Sequence, residues 1–416
     1  MPKRKKPTND EENCSPFRRY SLELHKQAKR CKREAPSLME TPDLGAPEQV
    51  WSLLCSKDEL NERDWRGLKK QTHITAQARS QARCMIVDWL MEVSASLKLH
   101  RETFHLAVDY FDRYLCVAEK QIPLVELQLV ATSALSVACK FEEIYPPKLH
   151  VLADFTDGAC DAHQVVMYEQ ILLTELNWNF NPVTVIHWLA FYLQLLAKTN
   201  ENASAEVKKI NTVSSQLCHE DTDDGIIAHT SFSNSFLRSI DGVNDALNET
   251  VESFNASNQS NTDGHIYIGQ SLCIPKLFRD DFMQLAKVVD LLILDPNFLS
   301  FRYSELAAAV LFCSYQSSED IEKITSIKRE SISKLISMVQ IFVDHCERDN
   351  VISHKSFMIE DIEPDEVHNI QQFEENNYET LKEVVIRQKE KMNELSKIQK
   401  TFKEQKLDDV LKEKNL

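Results

Sequence analysis

The 416-residue chain offers few residue sets whose types and spacing could do covalent chemistry. It has no glycine-rich phosphate loop, no H-E-x-x-H and no G-x-S-x-G, so phosphate cradling, zinc hydrolysis and serine attack each lack their usual scaffold. Eleven cysteines are scattered without a C-x-x-C pair. That pattern reads as reduced thiols of the cytosol or nucleus, several of them inside helices as small apolar residues, and gives no zinc site. The densest run of metal-type ligands, His219-Glu220-Asp221-Thr222-Asp223-Asp224, lies in a stretch without fixed geometry and reads as solvated acid. No catalytic residue, metal or cofactor is nominated. What stands out is four charges set among apolar residues: Arg83, Asp112, Lys140 and Glu169. Arg83 and Asp112 read as a buried ion pair. Lys140, at the end of a long apolar run, suits a helix C-terminus, and Glu169 reads as part of a solvated face.

The net charge of −16 conceals an asymmetry. Residues 1–35 carry eleven Lys/Arg against five Asp/Glu, a balance of +6, so the remainder carries −22. An acidic body disfavours nucleic acid as the main ligand. Within the basic head, Lys3, Arg4, Lys5 and Lys6 form a candidate nuclear import signal, followed by Lys29-Arg30 and Lys32-Arg33. Ser15, before Pro16, and Thr41, before Pro42, are candidate phosphosites. Thr41 follows Leu38 and Met39 as in phosphorylation-dependent degradation signals read by ubiquitin ligases, but no acidic or phosphorylatable residue stands four positions on. Arg19-Tyr20-Ser21-Leu22 reads as a destruction signal or, more simply, a chance four-mer, and the sequons at Asn202, Asn248, Asn255 and Asn258 as products of an Asn/Ser-rich tract. No run of 18 apolar residues and no apolar N-terminal stretch is present, so no membrane association is expected.

The elements that must position these charges are helices. Only seven glycines occur and four fall between Gly225 and Gly269, too few for the turns of a sheet protein this size. Residues 1–45 read as a disordered basic segment and 46–75 as a short helix and linker, with Val50, Trp51 and Leu54 on one face. Periodicity and proline placement predict helices near 76–98, 101–117, 123–142, 147–155, 161–177 and 182–198, then 276–294, 302–316, 319–328 and 329–346. Ser, Thr and Asn fill 26 of the 73 positions from 199 to 271, which predicts a disordered insertion. Residues 347–416 read as a charged tail whose ragged apolar stripe predicts an exposed or partner-dependent helix over 376–414. Two stretches, 129–139 and 306–313, are small and aliphatic with almost no charge. Each reads as the buried third helix of a bundle.

Five ordered strings carry a family resemblance: Ala82 to Val93 (ARCMIVDWLMEV), Leu99 to Phe104 (LHRETF), Phe111 to Tyr114 (FDRY), Lys140 to Lys148 (KFEEIYPPK) and Thr156 to Cys160 (TDGAC). Together they resemble the cyclin family, and LHRETF and TDGAC resemble its E type more than its A or B types. The likeness is strong over 46–198, looser over 275–346 and absent from the insertion and tail. It implies an all-α fold of two tandem cyclin-box bundles of about five helices each, at 76–181 and 182–346, the second interrupted by the insertion 199–271. It also implies a regulatory subunit, not an enzyme. Such a subunit binds and activates a cyclin-dependent protein kinase and drives the G1-to-S transition from the nucleus. A cyclin-box transcription adaptor without kinase activation is the competing reading.

The resemblance assigns residues to two surfaces. Lys140 and Glu169 match positions that bracket the kinase and hydrogen-bond its backbone, while Phe141, Leu173 and Phe180 match positions that press on its mobile helix. Ala82, Met85, Ile86, Trp89, Glu92, Leu127 and Gln128 match the patch that docks Arg-x-Leu peptides of substrates and inhibitors. Ala82 stands where the family usually has Met, which implies a shallower groove. On a helical wheel with Ala82 at 0°, Glu92, Met85, Trp89, Val93, Ile86, Leu97 and Leu90 span about 160°, wider than the ~100° an ordinary surface helix needs. Taken alone, that arc is most simply core. With the resemblance, its Ala82–Met85–Ile86–Trp89 edge faces a groove. The resemblance also assigns Arg83 and Asp112 to locking the first two helices together.

Overall fold

The computed structural model describes residues 33–39, 46–60, 76–118, 122–212, 279–348 and 381–386. Among them the only regular elements are helices. The first bundle holds α2 (Ala76–Ser96), α3 (Arg101–Val117), α4 (Leu127–Glu142), α5 (Leu149–Asp154) and α6 (Ala162–Glu175). The second holds α7 (Val185–Thr212), α8 (Arg279–Leu294), α9 (Tyr303–Ser314), α10 (Ser318–Thr325) and α11 (Ser333–Arg348). A separate helix, α1 (Pro47–Leu60), precedes both bundles, and a short helix, α12 (381–386), follows them. The all-α fold of two bundles expected from the sequence is the fold observed.

Each bundle is built around its third helix. In α4 every residue from Val130 to Cys139 is buried, and in α9 the stretch Leu306–Phe312 is buried. Small side chains allow this: Ala131, Ala134, Ala138 and Ala307, Ala308, Ala309 let neighbouring helices approach from all sides, and hydroxyls are absorbed locally. Thr132 and Ser133 donate to the carbonyls one turn back, Gln128 and Leu129, at 2.8 Å each. By length and composition the stretch Leu124–Glu142 could cross a membrane, but 61% of it is buried inside the protein, the position of a central bundle helix.

The string motifs turn out to be the joints between helices. Glu143, just past α4, accepts from the backbone N–H of His100 (2.9 Å), from His100 Nδ1 (2.8 Å) and from the Thr103 hydroxyl (2.5 Å). It thereby caps the start of α3, whose own N-cap side chain, His100, makes no cap bond. Arg113 pairs with Asp109 one turn back (2.7 Å) and donates to the Asn179 carbonyl (2.8 Å), tying α3 to the segment before α7. In the Thr156–Cys160 turn, Asp157 and Gly158 take φ of 52° and 81°, and the Thr156 hydroxyl bridges the Ala153 carbonyl (2.7 Å) and the Cys160 N–H (3.2 Å). The chain then enters α6 through a capping box of Asp161 and Gln164.

The His100–Glu143 pair makes stability depend on pH. Its hydrogen bond with Glu143 raises His100 from 6.5 to about 9, against burial. Burial pushes Glu143 up, but His100 and Thr103 outweigh it and hold the carboxyl below its usual range. A histidine whose folded pKa is raised contributes fully below its unfolded value and loses that contribution as pH climbs through the folded one. The stability due to His100 is therefore present below pH 6.5 and lost by about pH 9. His100 is 42% exposed, so solvent screening reduces the effect to about 1 kcal/mol. Urea unfolding at pH 6 and pH 9.5 should show this loss in the native chain, and His100→Gln should flatten it. An unchanged pH slope in the variant would refute the assignment.

Several expectations about the flanks are revised. Residues 33–39, within the segment read as disordered, have a fixed place: Pro36 and Met39 are buried. Helix α7 runs to Thr212, past the expected end at 198 and into the Ser/Thr/Asn-rich stretch. Ala203, Ala205, Glu206, Lys208 and Lys209 are good helix formers, and a helix already nucleated on the bundle extends at little cost. Residues 213–271 lie outside the described residues. In the tail, α12 buries Leu381 and Val384 in the core cluster, so this part of the run read as an exposed or partner-dependent helix is docked on the body. The candidate signals Lys3, Arg4, Lys5, Lys6, Ser15 and Thr41 lie outside the described residues.

Candidate protein-docking surfaces

The structure brings Lys140 and Glu169 together. Helices α4 and α6 pack side by side, and Ser136 and Lys140, one turn apart on α4, both reach Glu169 in the middle of α6. The Lys140 ammonium bonds both carboxylate oxygens (2.6 and 2.8 Å), and the Ser136 hydroxyl donates at 2.5 Å. The Glu169 side chain is 10% exposed and that of Lys140 is 49% exposed. Glu169 is therefore a buried carboxylate beneath an accessible cation, and not part of a solvated face. Packing against α4 explains the difference, since nothing local to α6 in sequence shows it.

Apolar side chains flank this pair. Phe141 and Leu173 are partly buried against the core, whereas Phe180 is 9% exposed and lies edge-on to Tyr110 at 5.2 Å, its carbonyl receiving the Tyr110 hydroxyl. Sequence reasoning missed the most exposed members. Ile144 and Tyr145, 73% and 91% exposed, directly follow α4, and Met167 and Ile171 show on α6 either side of Glu169. Trp178 is also exposed, in a turn where Asn177 and Trp178 both take positive φ (51° and 58°), a region bulky residues avoid. An available signal was that Ile144 and Tyr145 sit just before Pro146-Pro147, beyond the reach of any helical stripe. Scattered exposed apolar residues need no explanation. Here five of them fall in the segments that adjoin one ion pair.

The second surface lies along α2. Its inner edge, Arg83, Cys84, Val87, Leu90, Met91 and Ser94, is buried. Ala82, Ile86 and Trp89 are only partly buried against the core, Met85 is 57% exposed, and Glu92 is exposed. At the start of α4, Leu127 is buried and Gln128 half-buried, beside Leu124 and Val125, which are exposed. Helices α2 and α4 touch. Tyr168 on α6 closes this end of the bundle by donating to Glu126 at 2.5 Å.

Arg83 does more than join two helices. Its Nε and one terminal nitrogen bond both oxygens of Asp112 at 2.7 Å, each side chain 1% exposed. Its other terminal nitrogen donates to the carbonyls of Ile293 (3.0 Å) and Leu294 (2.9 Å), the last of α8. Those carbonyls have no partner within their own helix, so Arg83 caps the second bundle from the first. Further cross-bundle contacts were not read from the sequence: His105 meets Asp290 (2.9 Å), and the Tyr303 hydroxyl donates to Asp109 (3.0 Å). All four are buried.

Among the described residues, no group of three or more His, Cys, Asp or Glu could hold a metal ion. The arrangement is that of a helical body presenting two surfaces that mix apolar and charged side chains. Residues 50–181 match the family model of the cyclin N-terminal domain. The G1/S-specific cyclin-E of Caenorhabditis briggsae is 31% identical over 342 residues, 81% of this chain and 54% of that protein. The G1/S-specific cyclin-E1 of Danio rerio is 31% identical over 324 residues, 78% of this chain and 60% of that protein. The G1/S-specific cyclin-E of Drosophila melanogaster is 45% identical over a shorter 155 residues, 37% of this chain and 21% of that protein. Residues 50–181 are thus similar to the cyclin N-terminal domain, and the chain is similar over most of its length to cyclin E. It spans about half to three fifths of the C. briggsae and D. rerio relatives.

Proposed function

We propose that this chain is a regulatory subunit that binds and activates a cyclin-dependent protein kinase at the G1-to-S transition. The observation that carries the reading is the half-exposed Lys140 held over buried Glu169, with Phe141, Ile144, Tyr145, Met167 and Ile171 around it, on a cyclin N-terminal domain. Such a surface offers fixed charge for a partner's backbone and apolar area for a partner's helix. In protein kinases a mobile helix carries the Glu that must pair with the nucleotide-binding Lys before phosphoryl transfer. A rigid shelf that fits only the active position of that helix shifts the population toward it, and the shift equals the difference in contact energy between the two positions. Affinity purification of the full chain from dividing cells, followed by assay for bound Ser/Thr kinase activity, tests the reading. Recovery of the chain without kinase activity would count against it.

The α2 surface serves, in the same reading, to recruit Arg-x-Leu substrates and inhibitors. Exposed Glu92 suits the arginine, and the edge of Met85, Ile86 and Trp89 suits the leucine. Trp89→Ala should weaken recruitment of such substrates by about 2 kcal/mol, roughly thirtyfold, as for a central aromatic anchor. Activity on a short peptide lacking the motif should persist. Trp89 also packs on the core, so the melting curve is measured alongside. Intact folding with undiminished recruitment would remove the docking assignment. Nuclear residence through Lys3 to Lys6, and capture by a ubiquitin ligase through phosphorylated Thr41, complete the proposal.

A further inference from the structure

The segment before α1 belongs to neither docking surface, yet Arg33 is held like a ligand. Its guanidinium carbon lies 5.0 Å from the ring centre of Trp51 and 5.8 Å from that of Trp188. Its terminal nitrogens donate to the Ser304 hydroxyl (3.0 Å), the Tyr192 hydroxyl (3.3 Å) and the Thr325 carbonyl (2.9 Å). The slot is therefore assembled from four helices: α1 gives Trp51, α7 gives Trp188 and Tyr192, α9 gives Ser304, and the end of α10 gives Thr325. Trp51 and Trp188 are themselves locked edge to face at 5.6 Å. Buried Asp58 on α1 acts on the guanidinium electrostatically. Downstream the segment stays attached. The Ser326 hydroxyl donates to the Glu34 carbonyl (2.7 Å), Met39 N–H closes a turn on the Pro36 carbonyl (3.0 Å), and Met39 enters the core.

We infer that this is an arginine-recognition slot, a guanidinium site built by α1 and the second bundle, filled in cis by Arg33 so that residues 33–39 latch onto the folded body. The geometry selects guanidinium over ammonium. A planar cation can lie against indole rings while its several N–H groups reach acceptors set around its edge, and a lysine has neither the plane nor the fork. Three of the acceptors sit on different helices of the second bundle, so the site exists only when α7, α9 and α10 are packed as observed. Asp58 adds a need for the cation: burial pushes its carboxyl up to about 6, while Ser304 and Arg33 stabilise its charge. The short tether keeps the effective concentration of Arg33 high, so a free arginine peptide competes poorly with the intact chain. A consequence is that Arg33 is withdrawn from the basic Lys29–Arg33 cluster.

Hydrogen exchange on the full chain tests the latch. In the native protein the amides of residues 34–39 should be protected. Arg33→Ala should raise their exchange by at least about tenfold, the loss of one desolvated charged contact, and Arg33→Lys should not restore protection. A synthetic peptide of residues 29–40 should perturb the tryptophan fluorescence of the Arg33→Ala chain but not of the native chain, and the same peptide carrying Ala for Arg33 should do nothing. Far-UV circular dichroism checks that the helices persist. If Arg33→Ala does not fold, Tyr192→Phe, which removes one acceptor and keeps the ring, should still speed exchange at 34–39 several-fold. Retained protection in Arg33→Ala, full rescue by lysine, absence of peptide binding in trans, or no effect of Tyr192→Phe would each overturn the inference.

Discussion

Asp112→Ala is expected to destabilise the protein by about 3–5 kcal/mol, the usual cost of stranding one member of a buried ion pair. Arg83 would keep its bonds to the Ile293 and Leu294 carbonyls but lose the only carboxylate bonded to it in the described structure. Arg83→Ala should cost at least as much, because it strands Asp112 and also removes the donor that caps α8. Arg83→Lys should rescue little, since one ammonium cannot bond both carboxylate oxygens and two carbonyls at once. Replacing the pair together, Arg83→Met with Asp112→Leu, should cost less than the two single changes summed, because no lone charge remains buried. As Arg83 stitches the first bundle to the second, its loss should also make urea unfolding less cooperative, with the bundles melting apart. Urea curves followed by circular dichroism measure all four variants. A loss below about 1 kcal/mol for Asp112→Ala would mean the pair is not structural.

The second large effect concerns association. Lys140→Ala combined with Glu169→Ala should weaken binding to a cyclin-dependent kinase by about 2–5 kcal/mol, more than tenfold, if both groups hydrogen-bond the partner in a desolvated interface. The internal pairing makes the double change the informative one. Lys140→Ala alone leaves Glu169 with Ser136 but no cation, and Glu169→Ala alone frees Lys140 to solvent, so each single variant mixes stability with binding. Removing both leaves no lone charge. Because Lys140 is half exposed, the pair contributes no more than about 1 kcal/mol to the fold. Thermal unfolding of the isolated double variant should therefore stay close to that of the native chain while the dissociation constant rises. Unfolding and binding that change in parallel would mean the pair is structural only.

Helix placement was legible because it rests on local physics. Scarce glycine, proline at helix starts and apolar periodicity locate ten helices of the two bundles within a few residues, the end of α7 excepted, and the small and aliphatic stretches 129–139 and 306–313 locate both central helices. The Arg83–Asp112 pair was also readable, since a lone charge inside an apolar helix needs a partner and only a neighbouring helix could supply one. What was not readable depends on register between helices. His105 and Asp290 stand 185 positions apart, and each alone reads as an ordinary polar residue. Glu169 reads as solvated until α4 lays Ser136 and Lys140 across it. Arg33 was hidden by its neighbours: in a run of lysines and arginines one more cation looks like part of an address, and its aromatic slot comes from helices far along the chain. The exposed Ile144, Tyr145 and Trp178 lie in turns, where periodicity carries no information.

The most direct measurement of the central claim is kinase activation in a purified system. An inactive cyclin-dependent kinase is mixed with the full chain, and phosphorylation of a short peptide lacking any Arg-x-Leu motif is followed against chain concentration. The native chain should stimulate saturably, with the Lys140→Ala, Glu169→Ala variant needing more than about tenfold higher concentration to reach the same rate. The absence of stimulation by the folded native chain, across kinases of this class, would contradict the claim.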